Sequence, residues 1–167
     1  MHWEQLPQCG CRAVIARVAP QLVVRAIRSA HPAASSRRRT YRTAHGRENR
    51  AIVGLSMGGG QALTIGLSHL DLFSHVGAFS SAVPVDFPTR FKALLDDPAG
   101  TNAKLRVLFV ACGRQDGAFA RSEQLAKTLT AHGIAHTFHP TEGRHNFAVW
   151  RQYLGQVAPM LFRDAGK

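Results

Sequence analysis

Residues 51–67 read AIVGLSMGGGQALTIGL, and this stretch decides the fold. Its first part, Ala51-Ile52-Val53, is short, apolar and rich in β-branched side chains, which predicts a buried strand over 50–55. From residue 59 onward the apolar residues recur at helical spacing, which predicts a helix to about residue 70. Ser56 stands between two glycines where the strand would pass into the helix. The stretch therefore predicts a strand, a sharp turn and a helix in immediate succession.

This arrangement is a nucleophile elbow, in which a serine is held in strained backbone geometry between a strand and a helix. Gly54 and Gly58 are the small residues that let the strand and the helix pass closely. The positive end of the helix dipole points toward the serine hydroxyl, where an oxyanion would form. We therefore predict that Ser56 is a catalytic nucleophile and that the backbone amide of Met57 is part of an oxyanion hole.

Further strands and helices alternate along the rest of the chain. The sequence predicts strands at 76–80, 105–111 and 134–139, a short helix at 89–95, a turn at 96–100, and helices at 119–132 and 147–162. Strands that alternate with helices at this spacing pair in parallel through right-handed crossovers. The predicted fold class is therefore α/β, with a parallel sheet of about four strands.

A serine hydroxyl is a weak nucleophile, so it needs a histidine to accept its proton and a carboxylate to orient that histidine. In parallel sheets such groups lie in loops beyond the carboxyl ends of the strands. Asp116 follows the strand predicted at 105–111, and His145 follows the strand predicted at 134–139. The chain order serine, aspartate, histidine is the order used by α/β-hydrolases. The sequence therefore predicts a triad of Ser56, Asp116 and His145.

Other polar residues have simpler explanations. Asp86 also follows a strand and stays open as an alternative acid, although the prolines around it favour a cap or turn role. His139 lies inside an extended run, where a histidine without a catalytic role is usual. Cys112 is interpreted as a buried small side chain, because nothing near it in the sequence would lower its pKa.

Charge is distributed unevenly along the 167 residues. Residues 1–50 hold ten arginines against Glu4 and Glu48, whereas residues 51–167 hold eleven basic and eight acidic side chains. The net charge of +11 therefore lies mainly outside the part that carries the elbow, so nucleic acid is not the expected partner. We predict a basic, arginine-rich leader over 1–40, partly helical or poorly ordered, and a catalytic half-domain over 41–167.

No apolar run approaches the length of a membrane span, and the first residues lack the pattern of a secretion signal. As written, the sequence therefore predicts a cytoplasmic protein without a membrane partner. The three cysteines cannot all pair and have no well-spaced partners for zinc, so free thiols are expected. The predicted chemistry needs neither a metal nor another cofactor.

Three segments together resemble the "Putative esterase" family. They are NRAIVGLSMGGG at 49–60, CGRQD at 112–116 and EGRHNFAVW at 142–150. The family contains feruloyl esterases and siderophore esterases, which are often secreted, and the resemblance runs from about residue 41 to residue 162. It implies an α/β-hydrolase-like three-layer sandwich. It also implies that Ser56 is the nucleophile, Asp116 the orienting acid and His145 the base.

Members of that family carry three or four strands before the elbow, together with the loop that supplies a second oxyanion amide. Residues 1–40 show no such strand patterns. The resemblance therefore implies an N-terminal truncation, a sheet reduced to its C-terminal half, and activity weakened by about 10²–10³-fold unless another donor replaces the missing one. The strand at 50–55 would then be an exposed edge, which favours a homo-oligomer or cover by the leader.

The predicted activity is that of a serine carboxylesterase acting on small acyl or aryl esters through an acyl-enzyme. The feruloyl type of substrate follows from the resemblance alone. Two alternatives stay open. One is a catalytically weak or inactive remnant whose basic leader binds nucleic acid or another acidic partner. The other is a thioesterase or acyltransferase that uses the same three residues.

Overall fold

The computed structural model describes residues 46–163. Four parallel strands form one sheet in the order β1 to β4: Ala51–Leu55, His75–Phe79, Val107–Gly113 and Thr137–Thr141. The predicted α/β class and its four-stranded parallel sheet are therefore confirmed. The predicted leader, its helices and its boundary near residue 40 lie outside the described residues.

Helices connect the strands and follow the last one. They are α1 Met57–Ser68, α2 Phe87–Arg90, α3 Lys92–Asp96, α4 Pro98–Lys104, α5 Phe119–Ala131 and α6 Phe147–Val157, with 3₁₀ turns at Arg47–Asn49 and Ala158–Met160. Each strand pairs with the next strand in the chain, so every connection crosses over to a neighbouring strand.

Several segments differ from the sequence-based prediction. The single short helix predicted at 89–95 is divided into α2 and α3, and the helix predicted at 147–162 ends at Val157. The turn predicted at 96–100 contains the start of α4, because the Asp97 side chain accepts a hydrogen bond from the Gly100 amide at 2.9 Å and Pro98 occupies the first helical position. The strand predicted at 134–139 begins later, at Thr137, and includes Pro140. Proline is tolerated there because β4 pairs only with β3 within the described sheet, so it lies at an edge.

The core lies on both faces of the sheet. Every residue of β2 and β3 is buried, which is the usual pattern for strands covered on two sides. One face, including Val76 and Val110, packs against apolar residues of α1, α3 and α5. The other face, including Phe79 and Phe109, packs against Val149, Trp150, Tyr153 and Val157, all of α6. The result is the expected three-layer sandwich.

Strand β1 lies at the other edge of the described sheet. It pairs only with β2 among residues 46–163, and all five of its residues are half-buried. The edge position expected for this strand is therefore observed within the described chain. In the same part of the chain, no helix has the length and apolar character needed to cross a bilayer.

Candidate active site

The register of the sheet brings four loops to one edge. Leu55, Phe79 and Ala111 are successive partners across β1, β2 and β3, and Gly113 pairs with Thr141 at the end of β4. The residues that follow these strand ends therefore lie near one another at the carboxyl edge of the sheet, where parallel α/β proteins place their sites.

Ser56 directly follows β1 and has a positive φ of 53° with a ψ of −123°. A non-glycine residue rarely adopts such a conformation unless its surroundings impose it. Here the Ser56 amide donates to the carbonyl of Phe79 at 2.8 Å, and the Ser56 carbonyl accepts from the amide of Ala82 at 3.0 Å. Helix α1 begins at Met57, so the Met57 amide lies in the first helical turn, where amides have no acceptor within the helix.

The two glycines that flank Ser56 are not equivalent. A Cβ on Gly54 would lie 2.1 Å from the carbonyl oxygen of Gly58, which is far inside contact distance. A Cβ on Gly58 would meet nothing within 4 Å apart from its chain neighbours and the backbone of its own helix. The prediction that both positions need a small residue is therefore confirmed for Gly54. It is wrong for Gly58, where a side chain would have room. Gly59 and Gly60 are tight positions too, since their Cβ atoms would lie 2.3 Å from Oγ of Ser81 and 2.2 Å from the carbonyl oxygen of Ala82, respectively.

The side chains of Ser56, Asp116 and His145 lie in one chain of hydrogen bonds. Nε2 of His145 is 2.9 Å from Oγ of Ser56. Nδ1 of His145 is 3.0 Å and 2.9 Å from the two carboxylate oxygens of Asp116. Asp86, the alternative acid, instead forms an exposed ion pair with Arg90 at 2.9 Å.

Asp116 is held as a charged carboxylate. Its side chain is only 1% exposed, and this burial by itself would raise its pKa. Hydrogen bonds from the Ala118 amide, the Ser80 hydroxyl and His145 outweigh burial, so the pKa of Asp116 lies below its usual value. An ionised carboxylate accepts the proton on Nδ1 of His145, which leaves Nε2 free to accept the hydroxyl proton of Ser56.

The loops that carry Asp116 and His145 are joined by Gln115. Its backbone amide donates to the carbonyl of Gly143 at 3.2 Å, and its side chain hydrogen-bonds to the Gly143 amide and to the Glu142 carboxylate. The loops also approach closely at Gly113, where a Cβ would lie 2.2 Å from the carbonyl oxygen of Gly143. Sequence reasoning missed Gln115, because its partners are set by the pairing of β3 with β4.

The start of α6 holds the backbone next to His145. Asn146 is the N-cap residue, with an extended backbone, and its Oδ1 accepts a hydrogen bond from the Val149 amide at 3.1 Å. The ring of Trp150 packs edge-on against the ring of His145 at a centroid distance of 4.8 Å. The His145 side chain is nevertheless 43% exposed, so a ligand can reach it from solvent.

Other candidate groups are accounted for within residues 46–163. Cys112 is a buried free thiol, as expected, and burial raises its pKa. No group of three or more potential metal-ligating side chains of histidine, cysteine, aspartate or glutamate is placed to hold a metal ion in this range. Cys9 and Cys11 lie outside it.

Solved structures with a similar fold include ferulic acid esterases and an S-formylglutathione hydrolase. A ferulic acid esterase is 28% identical, with a TM-score of 0.66 over 77% of this chain and 56% of that chain. An S-formylglutathione hydrolase from Staphylococcus aureus is 17% identical, with a TM-score of 0.69 over 86% of this chain and 63% of that chain. A ferulic acid esterase from Anaeromyces mucronatus is 21% identical, with a TM-score of 0.64 over 93% of this chain and 60% of that chain.

This chain spans less than two thirds of the length of each of these three proteins. The likeness to the two structures with the lower identities shows that the fold is of the α/β-hydrolase type. The model of the family described as "Putative esterase" matches residues 31–161, which is most of the chain. The protein therefore belongs to the "Putative esterase" family.

Proposed function

We propose that this protein is a serine carboxylesterase that hydrolyses small acyl or aryl esters through an acyl-enzyme. The observation that carries the proposal is the unbroken chain of hydrogen bonds from Ser56 through His145 to Asp116. The strained backbone of Ser56 at the tip of β1 supports it further, because this geometry presents the hydroxyl at the edge of the sheet. Family membership supports ester hydrolysis as the reaction class.

In the first step His145 accepts the hydroxyl proton of Ser56 at Nε2 while Oγ forms a bond to the ester carbonyl carbon. The negative charge that develops on the carbonyl oxygen is stabilised by the Met57 amide at the start of α1. Collapse of this intermediate breaks the ester bond, and His145 returns the proton to the leaving alkoxide. Asp116 stabilises the imidazolium during both proton transfers.

In the second step water attacks the acyl-enzyme, with His145 again as base, and the carboxylic acid leaves Ser56. No metal or other cofactor takes part in these steps. The surroundings of the elbow support an acyl or aryl substrate, because the side chains of Met57 and Phe147 are exposed and apolar. Met57 directly follows Ser56, and Phe147 lies two residues after His145. A feruloyl-type ester is the aryl substrate to test first, since a structure 28% identical to this chain is a ferulic acid esterase.

The proposal is tested by labelling the protein with a fluorophosphonate and by measuring hydrolysis of p-nitrophenyl acetate and methyl ferulate. We expect the label on Ser56, and we expect Ser56→Ala to lose both labelling and turnover, by up to about 10⁶-fold if the three residues act as a unit. Ser68→Ala, which changes an exposed serine at the end of the same helix, is the matched control and should keep both. Turnover that persists in Ser56→Ala would reject the proposal.

The acyl-enzyme is tested by partitioning between water and hydroxylamine. If p-nitrophenyl acetate and phenyl acetate pass through the same acetylated Ser56, both must give the same ratio of acetohydroxamate to acetate. A ratio that changes with the leaving group would contradict a common intermediate.

A further inference from the structure

Phe147 is a large apolar side chain that lies exposed next to the proposed triad. It is the first residue of α6 and follows His145 by two positions. Phe147 is 69% exposed, whereas every other phenylalanine of residues 46–163 is buried or half-buried. Single exposed apolar residues are common on protein surfaces. The contacts and the position of this one therefore decide whether it has a role.

The indole of Trp150 joins the ring of Phe147 to the ring of His145. Phe147 packs edge-on against the indole with ring centroids 5.0 Å apart, and His145 packs edge-on against it with centroids 4.8 Å apart. Trp150 is buried, and its Nε1 donates to Oγ of Ser80 at 3.0 Å. The indole is therefore held in one position, and it gives the exposed ring of Phe147 a defined place beside His145.

The proposed reaction fixes which part of an ester lies next to His145. Oγ of Ser56 attacks the carbonyl carbon, and the carbonyl oxygen turns toward the Met57 amide. His145 then returns its proton to the leaving oxygen, so that oxygen must lie within hydrogen-bond distance of Nε2. Nε2 is 2.9 Å from Oγ of Ser56, and Nδ1 is occupied by Asp116. The alcohol part of the ester therefore starts at His145, whereas the carbonyl oxygen lies at the start of α1.

We propose that Phe147 is a specificity-determining residue that contacts the leaving alcohol, and that the preferred esters carry an aromatic alcohol. The inference rests on the proposed function, because it concerns the substrate of the same site. An aromatic alcohol would lie against the exposed ring of Phe147 in a stacked or edge-to-face arrangement and would remove apolar surface of both rings from water. This contact exists only until the alcohol leaves, so it acts on formation of the acyl-enzyme and not on its hydrolysis.

Three esters separate the alcohol side of the substrate from the acyl side. Phenyl acetate and trifluoroethyl acetate give the same acetylated Ser56, but only phenyl acetate has a ring in its alcohol. Trifluoroethyl phenylacetate has its ring in the acyl group instead. The first readout is kcat/KM for each ester, because this constant includes the steps up to release of the alcohol.

We expect Phe147→Ala to lower kcat/KM for phenyl acetate by about five- to tenfold, the effect of losing one aromatic contact. The two trifluoroethyl esters should stay within about twofold of the wild type, because neither places a ring against Phe147. Phe147→Tyr keeps a ring at this position and should retain the wild-type values. Leu154→Ala is the matched control and should change none of the three constants, since Leu154 is also exposed on α6 but lies two turns, or about 10 Å, farther along the helix.

The second readout is hydrolysis of acetylated Ser56, followed by mass spectrometry of quenched reactions. The alcohol has already left at this stage, so Phe147→Ala should keep the wild-type rate within about twofold. A merely structural role, in which Phe147 holds His145 through Trp150, would slow this step and lower kcat/KM for all three esters. The two readouts together therefore separate contact with the alcohol from support of the histidine.

The inference can fail while the proposed function holds. In Phe147→Ala, an unchanged kcat/KM for phenyl acetate, equal losses for phenyl acetate and trifluoroethyl acetate, or a selective loss for the phenylacetate ester would overturn the inference and leave the proposed esterase intact. If the wild type hydrolyses none of the three esters, the proposed function fails and the inference fails with it. If circular dichroism shows that Phe147→Ala does not fold, Phe147→Leu, which also lacks the ring, decides by the same two readouts.

Discussion

The backbone amide of Phe162 donates a hydrogen bond to Nε2 of His75 at 3.2 Å, and the two rings lie 5.0 Å apart. This contact ties the segment after α6 to the first residue of β2. Nδ1 of His75 is 2.9 Å from Oγ of Ser74, whose hydroxyl donates to the carbonyl of Arg47 at 3.0 Å. One ring nitrogen accepts and the other donates, so this network requires the neutral imidazole.

Stability should therefore fall when His75 is protonated. Burial lowers the pKa of His75, the backbone of Arg50 opposes this shift, and the charge of Arg106 adds to it. Because the folded pKa lies below the unfolded value of about 6.5, the contribution is complete above pH 6.5 and is lost as the pH falls toward the folded pKa. The free energy of unfolding in urea, measured from pH 8 to pH 5, should fall less in His75→Gln than in the wild type. Equal losses in the two proteins would contradict this assignment.

Replacement of the two elbow glycines by alanine should affect the stability of the protein differently. Gly54→Ala places a Cβ against the backbone of Gly58, so we expect a loss of about 1–3 kcal/mol or more in the free energy of unfolding, together with displacement of Ser56. Gly58→Ala has open space around the new methyl group and improves helix propensity, so it should fold with stability within about 1 kcal/mol of the wild type. Urea denaturation of both variants checks the pair, and equal destabilisation would count against a backbone clash specific to Gly54.

The acidic member of the site should be identified by two isosteric changes. Asp116→Asn removes the charge beside His145 and favours the wrong imidazole tautomer, so kcat for p-nitrophenyl acetate should fall by about 10³–10⁴-fold. Asp86→Asn breaks only an exposed ion pair with Arg90 and should stay within about twofold. A larger loss in Asp86→Asn than in Asp116→Asn would reverse the assignment.

The cap of α6 should matter for both stability and turnover. Asn146→Ala removes the acceptor of the Val149 amide, and we expect a loss of about 0.5–2 kcal/mol in the free energy of unfolding. Because His145 precedes the cap directly, kcat should fall as well. Asn146→Asp keeps an oxygen at the same place and serves as the control, which should retain most of the stability. An alanine variant as stable as this control would mean that the cap contributes nothing.

Local patterns made the fold class and the identity of the elbow predictable. The β-branched run before Ser56 and the helical spacing after it are properties of neighbouring residues, and they led to β1 and α1 with an error of a residue or two at each end. The predicted boundaries of helices and turns were wrong where two local signals competed. Asp97 and Pro98 are compatible with a turn and with a helix start equally well. In the structure they form the start of α4.

Contacts between distant residues were harder to infer. The order of Ser56, Asp116 and His145 along the chain suggested a triad, but Asp86 stayed open because a sequence does not show which loop faces which. The tertiary contacts decide this question, because His145 hydrogen-bonds to Asp116 whereas Asp86 pairs with Arg90. The hydrogen bond between the indole of Trp150 and the hydroxyl of Ser80 carries no sequence signal at all, since the two residues are 70 positions apart.

The sequence by itself therefore determined the strand–turn–helix unit around Ser56, the alternation of strands and helices, and a short set of candidate partners. Only the tertiary structure decided which carboxylate contacts His145 and why Gly54 and not Gly58 must lack a side chain. The physical reason is the distance along the chain over which the deciding interactions act. Secondary structure follows from residues within a turn or two of one another, whereas a hydrogen bond between Ser56 and His145 exists only once the sheet has formed.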